Sequence, residues 1–295
     1  MIRRRQEFKA MGTYCSVEVA AETAEMAEEG VLISLTEMSR LEAKYSRFRE
    51  DSVTSSINKS AGSGQWFVID EETGYLLSFA DRLYVWSDGR FDLTCTPFQT
   101  LWEQASELPS SKTVRATSQK IGQSRIIRDG LSILLPSDGI CLDFGALVKE
   151  YACDRLVDQL LTAGVTAGCV SLGGDVRVFG GTMLERPWVI GVQDPFSREG
   201  VLGPWQLNDG AVATSGSYER FTKIDGQHYS HIVDARSGKP VTQWLSVSVL
   251  APNCLAAGAV ATLACLFEEN ALEFLRSQRL WFLAIDRSGQ MFQEG

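Results

Sequence analysis

Hydrophobic patterns typical of strands and of helices follow one another along this chain in no regular order. Residues 14–19 alternate apolar and polar side chains, whereas residues 23–45 repeat apolar side chains at the spacing of one helix face. Residues 125–135 then show the pattern of a β-hairpin, with Asp129-Gly130 at its turn. Helices mixed irregularly with strands and hairpins predict an α+β fold built on antiparallel or mixed sheets.

The rest of the chain continues this mixture. Three more helices are predicted near residues 70–88, 146–162 and 256–267. Polar residues at 46–58, and Thr and Pro residues at 91–98, predict loops, and the polar residues 103–124 indicate a variable insertion. Because no internal repeat or low-complexity linker interrupts the chain, residues 1–295 are predicted to form a single domain with two intimate lobes. We expect further strands at residues 168–172, 176–179, 188–192, 245–250 and 280–285.

Composition and charge exclude several classes of protein. The net charge is −9, and the only basic run is Arg3-Arg4-Arg5, which argues against broad nucleic-acid binding. No segment approaches the ~20 apolar residues of a transmembrane helix. The basic N-terminus has no apolar stretch after it, so a secretory signal is not predicted. We therefore expect a cytoplasmic protein, or a periplasmic one if a leader has been removed.

The seven cysteines are scattered, without a CxxC pair, and their number is odd. We expect reduced thiols packed as small apolar residues in a reducing compartment. A zinc site is not predicted, because the paired spacing of zinc ligands is absent.

The only two histidines, His228 and His231, stand three residues apart, just before an Asp-x-Arg-x-x-Gly turn. An imidazole with its usual pKa of ~6.5 can move protons near neutral pH. Upstream, residues 211–221 are small and rich in hydroxyls, which suits the close approach of a polar ligand. Proton transfer at a phosphate-centred site is one hypothesis, and chance proximity of the two histidines is the other.

Three further segments allow both a structural and a functional interpretation. Asp143 stands at the mouth of a predicted helix and Lys149 almost two turns into it, so Asp143 is either an N-cap or, with Lys149, part of a phosphate site. Arg47 and Arg49 lie among aromatic residues at 45–52, either as a surface loop or as a surface on which a flat ring stacks. The Gly-Gly-Asp turn at 173–175 follows a buried strand but lacks the dinucleotide-binding glycine pattern.

Taken together and in order, these segments resemble the FAD:protein FMN transferase family, the ApbE-type flavin transferases. Residues 91–102 are similar to the family's Phe-Asp-x-Thr-x-x-Pro-Leu-x-x-x-Trp. Residues 142–154 are similar to its Asp-Leu-Gly-Gly-Ile-Ala-Lys-Gly-Tyr-Ala-x-Asp. The resemblance also covers residues 11–19, 45–52, 171–180, 212–221 and 231–241, and so spans nearly the whole chain.

The resemblance implies a T-fold-like α+β architecture with FAD held between two lobes. The implied reaction moves FMN from FAD onto a Ser or Thr hydroxyl of a target flavoprotein and releases AMP, with Mg²⁺ polarising the pyrophosphate. His231 is implied as the catalytic residue, and the Ala146 carbonyl and Thr262 hydroxyl as metal ligands. The residues implied to line the FAD site are Met11, Phe48, Phe91, Asp92, Asp143, Lys149 and Ile232.

One position departs from the family pattern. The family's metal helix reads Ala-Asp-Ala-x-x-Thr, but Gly258 stands where that Asp is expected. Because Mg²⁺ normally takes at least one carboxylate, we expect weak Mg²⁺ binding that Gly258→Asp would strengthen. Another carboxylate, at Asp143, Asp175 or Asp209, is the alternative source of charge.

This departure leaves two alternative functions open. One is a FAD-binding relative that stores flavin or splits FAD slowly. The other is a scaffold that binds a partner flavoprotein without turnover.

Overall fold

An eight-stranded antiparallel sheet forms the centre of the computed structural model, which describes residues 1–197, 199–218 and 220–295. The strands are β1 (Ile2–Ala10), β2 (Thr13–Ala21), β3 (Phe67–Val68), β4 (Ile127–Asp129), β5 (Ser132–Leu134), β6 (Ala167–Leu172), β7 (Asp175–Phe179), β8 (Trp188–Gln193), β9 (Val201–Leu207), β10 (Gly210–Gly216), β11 (Phe221–Ile224), β12 (Gln227–Ser230), β13 (Val233–Asp234), β14 (Lys239–Pro240), β15 (Trp244–Ala251), β16 (Trp281–Asp286) and β17 (Met291–Glu294).

The order across the main sheet is β1-β2-β6-β7-β10-β15-β16-β17, and every neighbouring pair is antiparallel. A three-stranded sheet β3-β5-β4 and the hairpins β8-β9, β11-β12 and β13-β14 lie outside it. This arrangement confirms the predicted α+β class. Antiparallel or mixed sheets were expected, and the main sheet is antiparallel.

The helices are α1 (Ala24–Tyr45), α2 (Val53–Lys59), α3 (Glu71–Trp86), α4 (Thr96–Glu103), α5 (Ser111–Ser118), α6 (Val148–Thr162), α7 (Cys254–Phe267) and α8 (Ala271–Gln278). Helices α1, α6 and α7 pack on the main sheet and on one another. Side chains at the preceding residue cap several of them: Thr23 accepts a hydrogen bond from Met26 N at 3.2 Å at the start of α1, for example. Short polar N-caps therefore set these boundaries.

Two predicted loops contain helices. Ser52 caps α2 by accepting a hydrogen bond from Ser55 N at 2.9 Å, so the polar run 46–58 begins a helix rather than continuing as a loop. Pro97 lies in the first turn of α4, where a missing N–H costs nothing. A proline can end one helix or begin another, so the residue alone does not distinguish a loop at 91–98 from the start of α4.

Helix α7 is apolar on almost all sides because it is a core helix. Together with the short helices after it, it forms a stretch, Cys254–Gln278, long and apolar enough to cross a membrane by length and composition. No stretch of this length and apolar character is predicted from the sequence alone. However, 61% of its most apolar window is buried inside the fold, so this length is weak evidence for a membrane span.

Asp154 fixes the start of α7 to α6. Its two carboxylate oxygens accept hydrogen bonds from Cys254 N and Leu255 N, at 2.7 and 2.9 Å. These N–H groups belong to the first turn of α7, where a helix offers them no internal partner, and the helix dipole favours an anion there. Arg177 on β7 brings its Nε within 3.6 Å of the same carboxylate. Asp154 is thus the joint between α6, α7 and the sheet.

Removal of this carboxylate should loosen the joint. We expect Asp154→Ala to lower the free energy of unfolding by about 2–3 kcal/mol, because two N–H groups lose their acceptor. Asp158→Ala is the matched control, since Asp158 lies one turn later on α6 with its side chain 66% exposed. Its effect should stay below about 0.5 kcal/mol. Urea titrations followed by circular dichroism measure both, and equal losses would refute the role given to Asp154.

Candidate active site

Two tight turns lie side by side at one edge of the main sheet. Met11 and Gly12 form the two-residue turn between β1 and β2, and both have positive φ, 49° and 72°. Gly173, between β6 and β7, donates its N–H to Tyr14 O at 3.0 Å. A Cβ on Gly173 would lie only 2.8 Å from Thr13 Oγ1, so a glycine is required for this close approach. The turns bring Met11 and the start of β7 to the same edge.

A buried ion pair stands immediately after the second turn. Asp175 is only 2% exposed, and its Oδ2 accepts a hydrogen bond from Lys149 Nζ on α6. Its Oδ1 accepts from Thr214 N on β10 at 3.1 Å. Burial alone would lower the pKa of Lys149, but Glu150 and Asp175 raise it above its usual range, so the ammonium stays charged. A fixed positive charge is therefore held at this edge.

Glu150 is the second buried carboxylate here, and the sequence analysis did not identify it. It is 7% exposed, and its Oε1 lies 3.9 Å from Lys149 Nζ. Its Oε2 has no hydrogen-bond partner among the described residues. Burial raises the pKa of Glu150 above its usual range, with Lys149 opposing the shift and Asp175 adding to it. The available signal was in the sequence: Glu150 stands where the resembling motif has a glycine after its lysine.

Hydroxyl groups from β10 and α7 complete this part of the site. Thr262 Oγ1 lies 2.8 Å from Ser215 Oγ, whereas the Thr214 Oγ1–Ser248 Oγ pair lies on the other face of the sheet, because adjacent side chains of a strand alternate. Thr262 is half-buried one turn after Gly258 on α7. The site therefore presents carboxylate and hydroxyl oxygens beside one lysine.

Gly258 faces Glu150 closely. A Cβ at position 258 would lie 2.6 Å from Glu150 Cγ and 3.0 Å from its Oε1. Because Glu150 already fills that space, a side chain added at 258 must displace it, and the expectation that Gly258→Asp would add a metal ligand stays a prediction. Asp209 is not an alternative either, since it accepts a hydrogen bond from Gly180 N (3.4 Å) beyond the start of β10, at the other end of that strand from Thr214.

Asp143 both caps a short helix and forms an ion pair. Its Oδ1 accepts from Gly145 N at 2.8 Å at the start of the 3₁₀ turn 144–146, and its Oδ2 lies 2.8 Å from Arg47 Nε. Asp143 thus caps the short turn before α6 and not α6 itself, whose N-cap is Leu147, and its contact with FAD stays a prediction. Ala146 is exposed at the end of this turn, just before α6. The Arg47 guanidinium lies 4.3 Å from the ring centroid of Phe48, which is 81% exposed. An aromatic surface next to a cation is thus open to a flat ligand.

Phe91 and Asp92 lie inside the protein. Phe91 is 5% exposed, and both carboxylate oxygens of Asp92 accept backbone hydrogen bonds, from Thr94 N at 2.7 Å and Gln123 N at 3.0 Å. The same loop is joined to Asp143, whose N–H donates to Leu93 O at 2.9 Å. Asp92 thus stabilises this loop, and its direct contact with FAD stays a prediction.

His231 lies in a cleft of about 280 Å³ lined by Gln99, Glu103, Arg220 and Ser230. Its Nδ1 lies 3.1 Å from Arg220 O, and because a carbonyl can only accept, Nδ1 carries the proton and Nε2 is the acceptor nitrogen. Burial lowers the pKa of His231, so the ring is neutral at pH 7. It is therefore suited to take up a proton.

The neighbours of His231 have structural contacts. Ile232 is half-buried and donates its N–H to Ser230 Oγ at 3.0 Å. The His228 ring stacks on Phe221 with centroids 4.0 Å apart. Trp102 Nε1 donates to Gly238 O at 2.8 Å and so holds the far end of the Asp-x-Arg-x-x-Gly turn. The structure thus gives the two histidines different environments.

The donor chemistry favours one class of metal. Among the residues that the structure describes, no group of three or more His, Cys, Asp or Glu side chains could hold a metal ion. Zinc sites are built from such groups. Mg²⁺ instead commonly uses one or two carboxylates together with substrate phosphates. The oxygens at the α6–α7 crossing, including the unpartnered Glu150 Oε2, fit a hard cation of this kind.

Known proteins share these segments. A model of the ApbE family matches residues 11–283. The chain is 29% identical to the FAD:protein FMN transferase of Salmonella typhimurium and 27% identical to that of Escherichia coli, each over 97% of this chain and 85% of the relative. The ApbE protein of Thermotoga maritima has a TM-score of 0.91 at 28% identity, covering 99% of this chain and 97% of its own. The Pseudomonas stutzeri flavinyl transferase ApbE, in its apo form, shares the fold, with a TM-score of 0.84 at 24% identity over 99% and 94% of the chains.

The Lys149–Asp175 pair should be essential to stability. We expect Lys149→Met to lower the free energy of unfolding by about 3 kcal/mol, because it leaves Asp175 charged, buried and unpaired. The double variant Lys149→Met with Asp175→Asn should lose less stability than the sum of the losses of the two single variants. Lys59→Met, at an exposed lysine, is the control and should change stability by less than about 0.5 kcal/mol. Guanidinium titrations measure the wild type, both single variants, the double variant and the control, and strictly additive losses would show that the pair is not coupled.

Proposed function

Because the chain belongs to the ApbE family and is a flavin transferase, we propose that it moves FMN from FAD onto a Ser or Thr hydroxyl of a target flavoprotein, releases AMP and uses Mg²⁺. One observation carries the proposal: segments far apart in sequence, each implied to bind FAD, are tied together by direct contacts. Arg47 pairs with Asp143, Asp143 N–H donates to Leu93 O, and Ala235 N–H donates to Arg90 O at 3.0 Å. The segments 45–52, 90–96, 142–146 and 231–238 are therefore neighbours in the fold.

The reaction balances with groups in these segments. The acceptor hydroxyl oxygen attacks the phosphorus of the FMN half, and a new O–P bond forms. The bond between that phosphorus and the bridging oxygen breaks, and AMP leaves with the electron pair. Nε2 of the neutral His231 takes the proton of the hydroxyl, the role of a general base.

Other residues bind and orient FAD in this proposal. The ammonium of Lys149, kept charged by its two acidic neighbours, offsets the negative charge of the pyrophosphate. The exposed Phe48 ring and the Arg47 guanidinium offer a stacking surface to a flat ring. The Ala146 carbonyl, the Thr262 hydroxyl and a carboxylate would hold Mg²⁺, which would polarise the pyrophosphate as a Lewis acid.

A second candidate function is FAD binding with slow or absent transfer, and the observation in its favour is Gly258. A single assay separates the two. Lysate of the protein's own host is incubated with FAD, Mg²⁺ and the enzyme, and denaturing gels are inspected for covalently bound flavin fluorescence. Transfer predicts a fluorescent band, one AMP per flavin attached, and FMN on a Ser or Thr by mass spectrometry. AMP release without a band would favour slow FAD splitting, and FAD binding without AMP release would favour storage.

FAD should bind more tightly than FMN or riboflavin. The matched segments are expected to contact both ends of a dinucleotide, so the smaller flavins lose the contacts made to the AMP half. Isothermal titration calorimetry with each of the three ligands gives the comparison, and displacement of FAD by AMP is the control for an adenine subsite. Equal affinity for FAD and FMN would remove the adenine half of the site from the proposal.

His231→Ala should impair transfer far more than FAD binding. A general base typically contributes ~10²–10⁴-fold to the rate, and we expect a loss in that range. His228→Ala is the matched control and should keep near wild-type transfer, because its ring only stacks on Phe221. Transfer by His231→Ala at the wild-type rate would leave His231 a structural residue.

The pH dependence tests the same role. A base must be neutral to act, and burial lowers the pKa of His231 from 6.5. The wild-type rate should therefore hold through pH 6.5 and fall only at more acidic pH, as the ring takes up a proton. Residual transfer by His231→Ala should lack this fall, and a rate profile unchanged by the substitution would assign the fall to another group.

A further inference from the structure

We propose that Glu150 supplies the carboxylate ligand of the magnesium site, reaching from α6 into the space that a side chain at position 258 would fill from α7. This inference rests on the Mg²⁺ dependence proposed above. The resemblance places the carboxylate ligand on α7, whereas this proposal places it on α6, at a residue for which the sequence predicts no role.

The first observation is an orphaned oxygen. Glu150 Oε2 is one of three buried side-chain N or O atoms without a hydrogen-bond partner among the described residues. A buried carboxylate oxygen without a partner is costly, so such atoms are few in folded proteins. Lys149 does not satisfy it, because Nζ is bonded to Asp175 and lies 3.9 Å from the other oxygen, Oε1. A bound cation would supply the missing partner.

The second observation is the shape of the space opposite. A Cβ at Gly258 would lie 2.6 Å from Glu150 Cγ and 3.1 Å from its Cδ. Contacts this short require one side chain to give way. The Glu150 carboxylate therefore occupies the volume that the first atoms of a side chain at 258 would take. Glycine at 258 is what admits the longer side chain from the neighbouring helix.

The third observation is that other oxygen donors are placed around this point. Helix carbonyls point toward the C-terminus and Cα–Cβ bonds tilt toward the N-terminus. The Thr262 side chain thus leans toward Gly258, and Ala146 lies in the turn just before α6, the helix that carries Glu150. Ser215 Oγ lies 2.8 Å from Thr262 Oγ1 and adds a further hydroxyl. A carbonyl, hydroxyls and one carboxylate are ligands that Mg²⁺ accepts.

The remaining carboxylates are already engaged. Asp143 is bonded to Gly145 N and paired with Arg47, and Asp175 is bonded to Lys149 and Thr214 N. Glu150 alone among these three has an oxygen left over. Since no group of three acidic, His or Cys side chains among the described residues could hold a metal ion, the proposed site depends on this single carboxylate and on phosphates brought by FAD.

Direct metal binding tests the proposal. Mn²⁺ serves as the probe, and electron paramagnetic resonance measures the free ion with and without saturating FAD. Glu150→Gln keeps the size of the side chain and should weaken Mn²⁺ binding at least about tenfold, whereas FAD binding without metal should be kept or tightened, because a negative charge beside the pyrophosphate is removed. Glu37→Gln is the matched control: Glu37 is also buried, but it is paired with Arg40 on α1, and its substitution should leave Mn²⁺ affinity unchanged.

A swap between the two helices sharpens the test. The double variant Glu150→Gly with Gly258→Asp moves the carboxylate to α7 and should recover most of the Mn²⁺ affinity that Glu150→Gln loses. Gly258→Asp alone should lower the melting temperature without tightening Mn²⁺ binding, because its Cβ meets Glu150. Wild-type affinity in Glu150→Gln would overturn the role of Glu150 and leave the proposed function standing. Absence of Mn²⁺ and Mg²⁺ binding by the wild-type protein, with or without FAD, would overturn both.

Discussion

The pairing of the partly exposed Lys149 with the buried Asp175 is the constraint on which the rest of the site depends. Taking two ions out of water costs more than their attraction returns unless further hydrogen bonds complete the geometry. Thr214 N provides one such bond, which links the pair to the pairing of β10 with β7. Asp154 holds α7 against the helix that carries Lys149. The polar edge of the sheet is therefore positioned by the core beneath it and not by its own loops.

Charge explains why a lysine alone does not complete this edge. Lys149 contributes one positive charge, while Asp175 and Glu150 contribute two carboxyl groups in a region with little access to water. A pyrophosphate brought to the same place adds further negative charge. The lysine is already committed to Asp175, so a second cation is needed before phosphate and Glu150 can be close neighbours. A single added cation would thus both give the unpartnered oxygen of Glu150 a partner and offset the negative charge of the pyrophosphate.

The sequence predicted those parts of the molecule that are determined locally. Helices α1, α6 and α7 and strands β2, β6 and β15 lie within about two residues of their predicted bounds, because each has a clear periodicity and a polar cap or turn at its end. Helices α2 and α4 were missed, because Ser52 and Pro97 can equally end or begin an element. The segments implied to bind FAD stay predictions, although several of them are in contact with one another. Which carboxylate lacks a partner could not be predicted, since burial and pairing are set by contacts between α6 and α7, which are far apart in sequence.

Glu150 and Gly258 show why position-by-position comparison with a family pattern misleads at such a contact. Taken alone, Gly258 looks like a lost ligand, and Glu150 looks like an acidic residue in the first turn of a helix. In the structure they are two halves of one arrangement, since the longer side chain from α6 needs the bare backbone of α7 opposite it. Either change alone is unfavourable: a carboxylate on both helices puts two like charges in one small volume, and glycine on both leaves none. Carboxylate and glycine can therefore exchange places between the helices only as a pair. The charge at the site is then kept, and only the helix that carries the carboxylate changes.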